Sequence, residues 1–205
     1  MQKFYLFVSM LCLVLLAATP TEAQKAKSYL EAGNRFFALQ QFEAAITQYS
    51  KAIVEKPDLV QAYNNRGLSR AGLKKFEQAL TDYNQALTLD PKNAEAYYNR
   101  GLAQASLNNQ PEAIADYTRA IALNNSFAAA YYNRGLAKGL LQDNKGAIPD
   151  FQKVVALNPS DAAAYYLLGL AQYNTGHRQA SCESWQKASK LGNSKAKALL
   201  SQKCR

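Results

Sequence analysis

Histidine occurs once and cysteine three times in the 205 residues, too few to compose a zinc site of ordinary ligand spacing. The lone His177 falls where a turn is predicted, with no Cys, His or Asp cluster beside it, and reads as an exposed turn residue. The sequence also lacks a phosphate-cradling Gly-rich loop, a Gly-x-Ser-x-Gly elbow, a paired-carboxylate constellation and a Cys-x-x-Cys pair. No metal, no cofactor and no catalytic function is therefore expected. Proline (6) and glycine (10) are too sparse for a collagen-like or low-complexity chain, and the abundance of Ala, Leu, Gln and Lys favours helix.

Long apolar runs are lacking too. The one candidate, Phe4 to Ala18, is 15 residues, whereas a membrane-spanning helix needs about 20. Lys3 before it and the small Ala23 after it give residues 1–23 the pattern of a cleavable signal peptide. A mature chain of 24–205, beginning near Gln24, is expected to be periplasmic or secreted, with no stable membrane anchor after cleavage. Cys12 lies mid-run behind Met10 and Leu11, unlike a lipidation site. Acidic residues are outnumbered, 15 to 24, and removal of Lys3 and Glu22 leaves the net charge at +9. The surplus is concentrated at the end, where Arg178, Lys187, Lys190, Lys195, Lys197, Lys203 and Arg205 face only Glu183. Such a patch suits an acidic partner, a membrane surface or nucleic acid, although a solvated face is the plainer reading. Export argues against nucleic acid.

What the sequence does contain is a period. Gly33, Gly67, Gly101, Gly135 and Gly169 recur every 34 residues. The same spacing relates Tyr29, Tyr63, Tyr97, Tyr131 and Tyr165; Ala45, Ala79, Ala113, Ala147 and Ser181; and Tyr49, Tyr83, Tyr117, Phe151 and Trp185. Pro57, Pro91 and Pro159 close three copies, and Asn125 and Asn193 stand in that column in the third and fifth. A small residue lets two helix backbones approach, an aromatic from the partner helix fills the remaining space, and proline stops the second helix. No such unit buries its apolar face alone, so neighbours must stack. The Tyr63 column is expected in the core. Pro149 is expected to make its helix start late or bend.

This order of columns resembles the tetratricopeptide repeat, a helix–turn–helix unit. The resemblance implies an all-α superhelical solenoid of five units, about 26–59, 60–93, 94–127, 128–161 and 162–195. A capping helix at about 194–203 would follow, and the partner would be a protein or peptide. It also implies that first helices line a concave groove. Asn65, Asn99 and Asn133 share one inward-facing column there, beside Tyr98, Tyr132 and Tyr166. A side-chain amide can pair with both groups of a peptide backbone, and a similar asparagine ladder holds extended peptides in the glycosyltransferase that modifies serine with N-acetylglucosamine. The same amides are common in the repeat and would equally serve to brace the array. The chaperone-tail carboxylate clamp is incomplete: Asn34 and Asn65 match, but Leu30, Glu95 and Asn99 replace its basic residues. The alternative to a groove is a structural subunit of an envelope assembly, held by its convex face or basic end.

Two further pairings are expected. Arg66, Arg100 and Arg134 occur only in the copies that also have Asp82, Asp116 and Asp150, as if each pair joined packed helices. Cys182 and Cys204 lie equally far from residue 193, so an antiparallel hairpin would set them at similar height for a bridge; two free thiols is the alternative. The tail also resembles the ending of exported repeat proteins of the Bacteroidetes.

Overall fold

A computed structural model describes residues 21–204, and these form eleven helices with no strand among the described residues. Five hairpins follow one another: α1 (Glu22–Ala38) with α2 (Phe42–Glu55), α3 (Val60–Gly72) with α4 (Phe76–Leu89), α5 (Ala94–Ser106) with α6 (Gln110–Leu123), α7 (Ala128–Leu140) with α8 (Asn144–Leu157), and α9 (Ala162–Asn174) with α10 (Arg178–Lys190). A last helix, α11 (Ser194–Lys203), packs on α10. Most of the expected signal segment lies outside the described residues. Its final residues do not, because Thr21 caps α1, its hydroxyl accepting from Gln24 N while the Gln24 side chain accepts from Thr21 N.

Within each hairpin the repeated glycine is where the two helices meet. The second aromatic column is almost wholly buried, from 0% exposure at Trp185 to 3% at Phe151, and each ring lies over its glycine. The first aromatic column differs from expectation. Tyr63, Tyr97 and Tyr131 are only half-buried, and the guanidinium three residues later covers each ring at 5.4–5.6 Å. A phenol with a polar tip sits well at such an edge, and the cation shields the ring face that packing leaves open.

The turn inside each hairpin requires one left-handed residue. Gln40, Lys74, Asn108 and Gln142 take φ of 56–63° there, and only the fifth hairpin supplies glycine, Gly176. Pro149 does not delay its helix: α8 starts at Asn144, in register with the other second helices, and continues through the proline. First helices of successive hairpins touch at α1–α3, α3–α5 and α5–α7, while second helices form no comparable contacts among the described residues. The first-helix side is therefore the tight, inner side of the curve.

The glycine notch gives an expected outcome of opposite sign at two positions. A Cβ on Gly101 would lie 2.7 Å from Tyr117 Cε1, whereas one on Gly139 would meet nothing within 4 Å. Gly101→Ala should destabilise by about 1–3 kcal/mol through overpacking. Gly139→Ala should stabilise by up to about 0.5–1 kcal/mol, the gain from replacing a glycine in the last turn of a helix. Urea unfolding midpoints of the two variants check this.

Candidate functional site

The three arginines each tie three helices. Arg100 donates to Asp116 at 2.6 and 2.9 Å, within its own hairpin, and its other amino group reaches back 2.7 Å to Asn84 Oδ1 on the preceding second helix. Arg66 bridges Asp82 and Ser50 in the same way, and Arg134 bridges Asp150 and Thr118. Arg70 and Lys138 add second cations to Asp82 and Asp150, both at 1% exposure. The hydrogen bonds that Arg100 donates to Asp116 raise its pKa beyond the usual value, so the guanidinium stays charged. In the fifth hairpin Leu168 and Ser184 replace the pair, and Ser184 instead donates to the buried Gln172. Loss of Arg100 alone would leave Asp116 buried and unpaired, at a cost of about 3 kcal/mol. The double change Arg100→Ala with Asp116→Ala should then cost less than the two single changes summed, by about 1–3 kcal/mol of coupling in a thermal or urea double-mutant cycle.

The asparagine column acts between first helices. Asn65 Nδ2 donates to Asn34 Oδ1 at 3.0 Å, Asn99 Nδ2 to Asn64 Oδ1 at 3.1 Å, and Asn133 Nδ2 to the Tyr98 hydroxyl at 3.0 Å. The amide N–H groups are thus engaged inside the array, each drawing one first helix towards its predecessor, and the Oδ1 atoms of Asn65, Asn99 and Asn133 accept no bond among the described residues. Tyr98 is itself packed between Phe127 and Tyr117, with ring centroids 4.8 and 5.9 Å away. Burial raises its pKa, although the bond from Asn133 works the other way.

The next residue in this column is Leu167, which has no amide. The contact between α7 and α9 is weaker than that between α5 and α7, and the surface opens there. A chamber of about 460 Å³ is lined by Tyr132, Leu136, Tyr166, Leu167 and Lys195, among others. A second, of about 300 Å³, is walled by Leu136, Leu140, Phe151, Leu167 and Leu170, with Gly139 at its edge. Leu136 and Leu167 line both, so the two chambers adjoin across these side chains and together form a trough. A third chamber, of about 320 Å³, lies beyond Tyr132 and includes Asn133 and Asp161. Burial, reinforced by Asp161, raises the Tyr132 pKa, so its hydroxyl remains a protonated donor at neutral pH.

Of the six residues expected in a groove, the structure therefore gathers Tyr132, Tyr166 and Asn133 around open space and sets Asn65, Asn99 and Tyr98 into interhelical bonds and packing. The trough residues that the column argument passed over are Leu136, Gly139, Leu167 and Lys195. Their signal was present as interruptions: Leu167 where the column has Asn, and Gly139 where it has Phe37, Ala71, Ala105 and Tyr173. Cys182 and Cys204 are joined by a disulfide, Cα–Cα 5.8 Å, which ties α10 to the end of α11 and so supports the wall that carries Lys195. His177 is exposed in its turn, its Nδ1 2.9 Å from Thr175 Oγ1. No cluster of metal-ligating side chains occurs among the described residues.

Family models described as TPR repeat match residues 33–74, 72–108 and 140–176, and one described as tetratricopeptide repeat matches 94–127. Among solved structures, one of MamA is 30% identical over 80% of this chain and 96% of that one, with a TM-score of 0.74. The first TPR of Spaghetti (RPAP3), solved bound to the HSP90 peptide SRMEEVD, is 30% identical over 61% of this chain and 99% of that one, with a TM-score of 0.58. YrrB, described as a TPR protein with an unusual peptide-binding site, covers 85% of this chain and 90% of its own at 22% identity and a TM-score of 0.73, a likeness of fold alone. No curated protein matches.

Proposed function

The chain belongs to the tetratricopeptide repeat family, and from that premise we propose that it is a protein-interaction module holding an extended segment of another protein along its first-helix face, between α7 and α9. The observation that carries this reading is the trough itself. The array closes its inner face with asparagine bonds through the first four units and leaves it open at Leu167, where apolar walls meet two tyrosine hydroxyls. Half-buried tyrosines supply rigid contact area with a polar tip, a combination that binding surfaces favour. The related TPR of Spaghetti was solved with a peptide in place, which supports a peptide-sized ligand here as well. That peptide's chemistry does not carry over through the chaperone-tail clamp, since Leu30, Glu95 and Asn99 supply no cation.

Site-specific photocrosslinking in the native host tests the face. A benzophenone side chain at Tyr132 or Tyr166 should trap a protein adduct, and one at Val54, 78% exposed on α2, should not. Adducts from Val54 alone would support a structural subunit held by its outer face and remove the groove reading.

We also propose that the protein is exported and matures near Gln24. The apolar run of residues 4–18 supports this, as does the disulfide, since such bonds persist in oxidising compartments. Cleavage there would remove the Thr21 cap and leave α1 starting at its own α-amino group. Edman sequencing of native protein should begin near Gln24, and thiol counting under denaturing, non-reducing conditions should find none free. A retained Met1 would overturn the proposal.

A further inference from the structure

The groove reading leaves the chemistry of the bound segment open, and the trough narrows it. We infer that the segment is acidic and carries one large apolar side chain, which enters the slot beside Gly139 while its carboxylates lie towards Lys195 at the start of α11. The inference rests on the groove reading and goes beyond it by naming the ligand class.

The slot comes first. Gly139 is the one member of its column without a side chain; the others are Phe37, Ala71, Ala105 and Tyr173. Nothing lies within 4 Å of where its Cβ would be, and about 300 Å³ of space opens there, room for one large apolar side chain. Its walls are mostly hydrocarbon, Asn144 and Asn174, bonded to each other at 3.2 Å, being the polar exceptions, and Leu140 is 69% exposed. An apolar side chain placed there would remove both slot and rim from water.

Charge then sets what lies beside that anchor. Lys195 lines the adjoining chamber, and no carboxylate does. Asp161, across Tyr132 in the third chamber, is already engaged as the N-cap of α9, accepting from Ala164 N at 2.9 Å. The first turn of α11 contains no acidic residue. A helix N-terminus favours Asp or Glu and disfavours Lys, because its peptide dipoles already place positive charge there. Lys195 in that turn thus works against local stability and adds its charge to the positive end of the helix at the mouth of the trough. A local preference set aside in this way, without a compensating contact, is characteristic of functional positions. The disulfide to Cys204 holds the helix in place.

The test is selection of displayed random dodecapeptides on the disulfide-intact protein, with fluorescence titration of the enriched peptides against wild type, Gly139→Phe and Lys195→Glu. Enriched peptides should combine Asp or Glu with a Leu, Ile, Met or Phe. Gly139→Phe, which puts in the residue its column holds at Phe37, should weaken them about tenfold or more, the loss expected when an anchor is shut out of its pocket. Lys195→Glu should weaken them in a salt-dependent way while leaving Tm unchanged or higher, since the substitution suits the helix terminus. That opposition of stability and binding is what a merely structural lysine would not show. Enriched peptides lacking acidic residues, or retaining full affinity for a folded Gly139→Phe variant, would overturn the inference. If such peptides still lost binding on Tyr132→Ala or Tyr166→Ala, the groove reading would survive alone. A selection that enriched nothing would remove both.

Discussion

In each hairpin a glycine on the first helix lies beneath a large ring from the second, with so little room that an added Cβ would come within 2.9 Å of the ring at Gly33, Gly67, Gly101, Gly135 and Gly169. This contact sets how closely paired helices approach, and the rest of the array is built on that spacing. Small residues in the neighbouring columns, Ala79, Ala86, Ala113 and Ala120, are fully buried because nothing larger fits between helices held so close. Each pair is then an apolar slab with two open faces, and the only way to bury them is against another slab.

Stacking leaves polar groups between slabs, and the sequence uses them as ties. Arginine binds the aspartate of its own hairpin and the polar residue of the one before, and the asparagine amide joins successive first helices. Both devices stop at the fifth hairpin. There Leu168 and Trp185 provide apolar packing, and α11, joined through the Cys182–Cys204 bridge, covers the far side. The end of the asparagine ties frees the inner face to part, and the parting is the trough.

On the proposed reading, binding and stability fall to different parts of one repeat column. Where the asparagine has a partner it braces, and where the column turns apolar the surface opens. A residue type alone does not tell these roles apart, since Asn133 both bonds Tyr98 and borders a chamber.

The sequence by itself determined the all-helical repeat, the number of hairpins, the buried ring column and the pairing of arginine with aspartate, because each is a local or 34-residue periodic property. Periodicity could not tell that the Tyr63 column would be half-buried beneath arginine, nor that Pro149 would sit within an uninterrupted helix, since both depend on neighbours outside the unit. It did not separate the inward tyrosines that border open space from the one that is packed in. Tyr98 and Tyr132 are equivalent in the repeat, yet Tyr98 is enclosed by Phe127 and bonded by Asn133, while Tyr132 faces the gap before α9. That distinction arises only when helices from different units are brought side by side, for whether a side chain meets a partner or a cavity is a property of the space between elements.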